Sequence, residues 1–362
     1  RYNKEANSYY YAPILVTNPC GEQGLPAFGV CNLGAINLEK MYDPEKNDVN
    51  WELLREVVHV SQRFSDNITD ISYYFLPENE KMAKMERRIG KGVMGLADLM
   101  IYLKLPYGSE EMLKKTDEIF KFIAVESYLA SADLAEEKGS FPAFDAEKIL
   151  NSGYMKRMPE HVREAVRKKG LRNVCSLTVA PTGSTGTMVG VSTGLEPYYA
   201  FKFYRTGRLG KFVEINVPIA QKYFDEHPGA KELPDYFVSA MDLSAEDHIR
   251  VQATIQKWVD SSLSKTANAP STFTVEDTKK LYEMAYDLGC KGVTIYVDGS
   301  RDTQVLSLEA KDNKFEEVEE EKLLQDETEQ EEPTDIDLTS DTRACVIRFD
   351  ENGNMIRECG TE

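Results

Sequence analysis

The sequence predicts an α/β fold. Three observations carry that expectation: two long segments place apolar residues at three- and four-residue spacing, several short β-branched runs end in Gly or Pro, and one helical pattern leads directly into a strand closed by a tight turn. With 362 residues and 41% hydrophobic content, the chain can bury a large core as one big domain or two ordinary ones.

Residues 12–40 alternate short apolar runs with Pro and Gly (APILV, GLPAFGV, AINL), which reads as strand and loop and puts Cys20 on a loop. Residues 51–70 and 109–138 read as amphipathic helices, the second with Ser109 as N-cap. From Arg87, RRIGKGVMGLADLM mixes glycines into an apolar run and reads as a helix packed so closely that only Gly permits the backbone approach. From Val174, VCSLTVAPTGSTGTMVGVSTGLEP reads as a strand, a Gly/Ser/Thr loop and a second turn. TVEDTKKLYEMAYDLG from Thr274 predicts a helix, KGVTIYV a strand, and DGS the turn that closes it. After about Val305 the hydrophobic period vanishes, and the Glu-rich run to about Asp337 has the composition of a disordered linker. Beyond it, ACVIRFDENGNMIRECG reads as a hairpin with an Asn-Gly turn and a cysteine near each end.

The formal net charge is −18, which argues against binding to nucleic acid polymers or anionic membranes. Between Glu309 and Asp337 fourteen acidic residues face three lysines, so the remaining body is only mildly acidic. No run of about 18 apolar residues occurs, and the N-terminus has neither a signal-peptide core nor an initiator Met. A soluble, cytoplasmic protein is expected, with a fragment of a longer chain left open.

Six cysteines, at positions 20, 31, 175, 290, 345 and 359, are too scattered for a secreted disulfide scaffold, so any disulfide is expected to be catalytic. No C-x-x-C pair occurs, and His59, His161, His227 and His248 show no metal-ligand spacing, so no metal site is expected. Cys175 and Cys290 lie in apolar contexts and read as buried small hydrophobes.

The chemistry concentrates in Asn18-Pro19-Cys20-Gly21-Glu22, where an amide, a thiol and a carboxyl at i, i+2 and i+4 share one face of extended backbone. From spacing alone, a turn around a buried thiol is the favoured reading. Cys31, eleven residues on, is close enough for a hairpin to bring two thiols and a carboxyl into one pocket, which suits redox chemistry better than a Cys–His hydrolase with no His nearby. Pro181-Thr182-Gly183-Ser184-Thr185-Gly186 can turn backbone N–H groups and hydroxyls onto an anion. It lacks the Lys of a Walker motif, and a plain polar turn is the competing reading.

TNPCGEQGLPAFGVCNLGAINL resembles the active-site finger loop of ribonucleotide reductases, with Asn-x-Cys-x-Glu as the catalytic signature. RRIGKGVMGLADL, APTGSTGTMVGVSTGLEP and GCKGVTIYVDGSR resemble further segments of that family in the same order, so the likeness covers roughly residues 12–305. The resemblance implies the second half of a ten-stranded α/β barrel around a central finger loop (residues 1–305), followed by an acidic linker (306–340) and a cysteine-containing tail (341–362). It implies that Cys20 becomes a thiyl radical that takes hydrogen from the ribose C3′. Glu22 would be the general base, Asn18 would bind the sugar hydroxyls, and Cys31 would be one member of the reducing dithiol. Residues 181–185 would cradle the substrate phosphates, and Cys345 and Cys359 would be a re-reducing tail, although family tails place the two thiols closer together. The implied partners are a ribonucleotide substrate, an N-terminal half carrying the second redox cysteine, thioredoxin or glutaredoxin, and a second copy in a homodimer.

The position equivalent to the second tyrosine of the class I radical relay is Val297, after Thr294-Ile295-Tyr296. That difference, the short Cys20–Cys31 spacing and the VDGSR ending resemble the adenosylcobalamin-dependent class. Class I, a nucleotide-binding remnant without activity, and a thiol redox protein unrelated to nucleotides stay open as alternatives.

Overall fold

The computed structural model describes residues 2–207, 210–300, 345–349 and 355–359. The chain divides into two compact units, Arg1–Glu309 and Ala310–Glu362. The stretch expected to be an acidic linker and the Asn-Gly turn of the C-terminal hairpin lie outside the described residues.

The first unit begins with a short hairpin, β1 (Val16–Asn18) against β2 (Gln23–Leu25), antiparallel with Asn18 opposite Gln23. Gly21 supplies the left-handed backbone at the tip, with φ +86, a conformation other residues rarely adopt. Strand β3 (Asn32–Asn37) follows and leads through a short turn of 3-10 helix to α1 (Trp51–Ile71), whose N-cap Asn50 accepts from Leu53 N. Helix α2 (Pro77–Glu86) has Pro at its start and ends at Arg87, held at φ 47. The Arg87 guanidinium donates to Asp66 and Asp70 of α1 at 2.7 Å each, which fixes this helix stop to its neighbour.

Strand β4 (Ile89–Met94) then pairs in parallel with β3, Asn32 opposite Ile89. This corrects the helix expected from Arg87 onward: helix α3 begins only at Leu96 and runs to Tyr102. The glycines do serve close approach, but within a sheet. A Cβ at Gly92 would lie 2.6 Å from the Thr178 carbonyl and 3.0 Å from Val179 Cα. Six successive residues of β4 are buried, as expected for a strand covered on both faces.

Helix α4 (Glu110–Lys138) starts at Ser109, whose side chain accepts from Met112 N. Its buried face, including Ile119, Phe120, Ile123 and Tyr128, joins the principal core with Leu54 and Val58 of α1 and Leu96 and Leu99 of α3. Each such side chain contributes roughly 1.5–3 kcal/mol on leaving water. After helix α5 (Glu160–Lys169) the chain returns to the sheet at residues 175–179, where Lys91 pairs with Leu177 and Val179 with Leu263, both parallel. The expected Gly/Ser/Thr loop is corrected in part: Gly183–Val189 forms the short helix α6. Helix α7 (Ala245–Gln256) precedes β5 (Thr266–Ala269). Helix α8 (Val275–Asp287), opened by a Thr274/Asp277 capping box, precedes β6 (Thr294–Val297), which is parallel to β5.

The sheet therefore runs β3, β4, residues 175–179, residues 261–269 and β6 side by side, all parallel and in chain order, with helices in the crossovers. Among the described residues no strand pairs with the outer edge of β3 or of β6, and no closed barrel is present. No described helix is long and apolar enough to cross a membrane. In the second unit, β7 (Cys345–Phe349) and β8 (Met355–Cys359) form an antiparallel pair with Cys345 opposite Cys359.

Gly92→Ala is expected to lower stability by about 1–3 kcal/mol, because the neighbour it meets is backbone. Gly34→Ala, which meets nothing within 4 Å, should change it by less than about 0.5 kcal/mol. Denaturant midpoints of the two variants check this, and equal midpoints would contradict it.

Candidate active site

The β1–β2 hairpin is anchored from below. Ser262 N donates to the Glu22 carbonyl at 2.9 Å, Gly24 N donates to the Tyr2 hydroxyl at 2.9 Å, and that hydroxyl shares a hydrogen with Ser261 Oγ at 2.9 Å. The Thr178 hydroxyl donates to Gln23 Oε1 at 2.5 Å. The root of the hairpin is thus tied to the third and fourth segments of the sheet, while its tip projects.

At that tip Cys20 is exposed and Glu22 is buried, 1% exposed. The Glu22 carboxylate turns back, and its Oε2 accepts from Cys20 N at 2.8 Å. This places a carboxylate beside the cysteine backbone while the sulfur stays accessible. Asn18 is exposed at the end of β1, and its peptide to Pro19 is cis.

Cys31 sits just before β3, half-buried. A side chain at Gly90 would strike Leu33, Thr178 and the Cys31 sulfur, at 2.8, 2.8 and 2.9 Å respectively. Cys31 therefore lies over Gly90 beside the threonine that holds Gln23, so the hairpin root and the second thiol meet at Thr178. Burial pushes the Cys31 thiol up to about 12; the Arg88 guanidinium opposes the rise, and Asp260, Glu86 and Glu22 reinforce it. A thiol so placed stays protonated at neutral pH and carries a hydrogen to give. Cys31 also lines a cleft of about 770 Å³ between β3 and α1, with Phe64, Ile68 and Lys91. Burial brings the Lys91 ammonium down to about 7.

Cys175 and Cys290 are buried. The Cys175 thiol donates to Asp260 Oδ1 at 3.1 Å, which occupies it inside the protein.

The 181–185 segment lies at the head of α6. Gly183, Ser184 and Thr185 are exposed, and Pro181 and Thr182 are half-buried. Thr182 takes the left-handed backbone at φ 49, and its hydroxyl accepts from Gly194 N at 2.8 Å, facing inward. Outward-facing groups are therefore those of Gly183, Ser184 and Thr185, whose first-turn N–H groups have no acceptor within the helix. Cys345 and Cys359 are brought opposite one another in the second unit.

Sequence reasoning missed the groups that hold these elements: Tyr2, Gln23, Thr178, Ser261 and Asp260 near the thiols, and Glu196, His248 and Lys265 beneath the 181–186 segment. Gln23, Thr178 and Glu196 lie inside the quoted motifs, which is the signal they carried; Tyr2, Asp260, Ser261, His248 and Lys265 lie outside them.

Alkylation of the folded chain is expected to modify Cys20 first. Cys31 should react more than about a hundredfold more slowly at pH 8, accelerating roughly tenfold per pH unit up to pH 11 because only the thiolate is nucleophilic. Peptide mass spectrometry across pH checks this; a plateau for Cys31 by pH 9 would contradict it.

The ribonucleotide reductase barrel domain matches residues 1–296 of the chain. A vitamin B12-dependent ribonucleoside-diphosphate reductase of Thermoplasma acidophilum is 37% identical over 314 residues, covering 81% of this chain and 39% of that protein. The protein of that name from Mycobacterium tuberculosis strain H37Rv is 36% identical over 318 residues, covering 82% of this chain and 42% of its own length. A ribonucleoside-diphosphate reductase subunit alpha of Chlamydia pneumoniae is 28% identical over 353 residues, covering 84% and 33%. The chain spans about two fifths of the length of the two B12-dependent relatives. On the extent of the barrel-domain match, the chain belongs to the ribonucleotide reductase family.

Proposed function

We propose that this chain is the C-terminal portion of an adenosylcobalamin-dependent ribonucleotide reductase, converting ribonucleotides to 2′-deoxyribonucleotides for DNA synthesis. The reaction is an oxidoreduction at a carbon centre with a disulfide as the oxidised product. The observation that carries the reading is the Glu22 carboxylate held 2.8 Å from the amide of an exposed Cys20, on a hairpin rooted beside Cys31.

In this reading the Cys20 thiyl takes a hydrogen atom from C3′ of the ribose and becomes a thiol. Glu22 accepts the 3′-hydroxyl proton, and the 2′-hydroxyl leaves as water with a proton from the dithiol. Cys31 and a partner cysteine, having given that proton, deliver their second hydrogen to C2′ and end as a disulfide, while Cys20 returns its hydrogen to C3′ and Glu22 returns its proton to the 3′-oxygen, which regenerates the thiyl. The protonated state of Cys31 supports its part as donor, and the exposed Asn18 amide is free to bind sugar hydroxyls. Gly183, Ser184 and Thr185 offer N–H groups and hydroxyls to the phosphates, with Pro181 and Thr182 shaping the segment.

Adenosylcobalamin, when bound, supplies the one-electron oxidising equivalent for this chemistry. The exposure of Cys20 suits an oxidant arriving from outside the chain. Val297 packs with the small core around α7, α8 and β5, and its lack of a redox-active ring supports this class over one that relays a radical through paired tyrosines.

The edges of β3 and β6, which no described strand covers, support an N-terminal half that adds five more strands and closes a ten-stranded barrel with the partner cysteine inside. The division into a catalytic body (1–305), acidic linker (306–340) and tail (341–362) belongs to the same proposal. So do re-reduction through Cys345 and Cys359 by thioredoxin or glutaredoxin, and a homodimeric, cytoplasmic enzyme.

With the N-terminal half and cobalamin supplied, the chain is expected to form deoxynucleotide. Cys20→Ser should abolish turnover with substrate affinity within about threefold, since a hydroxyl is no substitute for the sulfur radical. Glu22→Gln should lower kcat by about 100-fold or more, the scale of a general base. Single-turnover product assays check both, and appreciable turnover by Cys20→Ser would refute the assignment.

A further inference from the structure

Beneath the candidate phosphate segment lies a charged cluster that the reaction itself does not use, buried at Lys265 and His248 and half-buried at Glu196. Lys265 is buried, and its ammonium donates to Glu196 Oε2 at 2.5 Å, His248 Nδ1 at 2.9 Å and the Thr266 carbonyl at 3.1 Å. All three hydrogens of the ammonium thus have acceptors. The other Glu196 oxygen accepts from Thr266 N at 2.6 Å. His248, buried, shares its Nε2 hydrogen with the Ala240 carbonyl at 3.1 Å, which leaves Nδ1 free to accept from Lys265. Burial and the adjacent Lys265 bring His248 down to about 3, so the ring is neutral, as an acceptor at Nδ1 must be.

Glu196 ends a platform, residues 192–196, on which the candidate phosphate segment rests. At the other end of the platform Ser192 N donates to Asp98 Oδ2 at 2.8 Å, and between them the buried Tyr107 hydroxyl donates to the Leu195 carbonyl. Gly194 in the middle gives its N–H to the Thr182 hydroxyl at 2.8 Å. A Cβ at Gly194 would lie 2.8 and 3.1 Å from the carbonyl oxygens of Ala180 and Pro181, so the two backbones are in direct contact. A Cβ at Gly186 would meet Thr193 at 3.0 Å. The 181–186 segment thus leans on the platform at both ends.

We propose that the Glu196–Lys265 pair, oriented by His248, is the positioning device for the 181–186 segment: it fixes the platform to β5 and thereby sets where Gly183, Ser184 and Thr185 present their donors to a substrate's diphosphate. This rests on the phosphate reading of that segment given above. The three residues touch no substrate in this role and act through the loop. Fixing the donors before binding removes an ordering cost that would otherwise be charged against affinity.

The test uses the whole chain, inorganic pyrophosphate as probe, and amide hydrogen exchange as readout. Glu196→Gln alone leaves a buried ammonium without its counter-charge and lowers global stability, so the decisive variant is Glu196→Gln with Lys265→Met, which removes both charges. Its thermal midpoint is expected to lie near the parent's, with amides of residues 182–190 exchanging at least tenfold faster, amides of 89–94 unchanged, and pyrophosphate protection of 183–185 lost. Unchanged exchange at 182–190 in the double variant would overturn the clamp. An increase shared equally with 89–94 would overturn it too, since the pair would then be general structural support. Failure of pyrophosphate to protect 183–185 in the parent chain would refute the phosphate reading itself, and the exchange rates would separate that result from failure of the clamp.

Discussion

The site depends first on one carboxylate. Asp260 is buried between the third and fourth segments of the sheet and accepts from the amides of Ser176, Leu177 and Ser261 at 2.7, 2.9 and 2.8 Å, from the Tyr128 hydroxyl at 2.8 Å and from the Cys175 thiol at 3.1 Å. A buried carboxylate is tolerable only when donors replace its water, and here the donors belong to two neighbouring strands and to helix α4. Satisfying one charge therefore fixes where the strand containing Ser261 and Ser262 begins. Those serines in turn hold the Glu22 carbonyl and the Tyr2 hydroxyl. The placement of the Cys20 hairpin is thus a consequence of solvating Asp260 from within.

From that anchor the division of labour among the thiols follows. Cys20 is carried outward on a glycine-tipped hairpin and stays accessible. Cys31 lies over Gly90 and is kept protonated by burial, against the pull of Arg88. Cys175 is spent on Asp260. The same side chain is given three environments: exposed at a hairpin tip, half-buried over Gly90, and hydrogen-bonded to a buried carboxylate. The 181–186 segment is held separately, through Gly194 and the Glu196–Lys265 pair, so it and the hairpin are tied by different hydrogen-bond networks that meet in the sheet.

Much of this was legible in the sequence where the signal was local. The helices at 51–71 and 110–138 follow from apolar period, and Ser109 announces its helix start because a cap is read from neighbouring residues. The Asn-x-Cys-x-Glu cluster was visible as a motif, and the structure places its carboxylate against the Cys20 amide. Strand β4 was misread because IGKGVM has an apolar run and glycines but no alternation; burial on both faces erases the period that marks a strand. Helix α6 was misread as loop because GSTGTMV has poor helix propensity and is held by contacts with residues 192–194. Nothing local could reveal Lys265 with Glu196, or Asp260 with Ser176, since these partners are separated by dozens of residues and meet only through the parallel crossovers. The acidic run and the turn of the C-terminal hairpin fall outside the described residues.

The proposed chemistry has the Cys20 sulfur act on the C3′ hydrogen of a ribose. It is tested most directly by competing ordinary and 3′-deuterated ribonucleotide in the enzyme assembled from this chain, an N-terminal half and cobalamin, and measuring the isotope ratio in the deoxynucleotide formed. The deuterated substrate is expected to be consumed more slowly, as breaking the C3′–H bond requires. Deoxynucleotide formed from both at equal rates would contradict it.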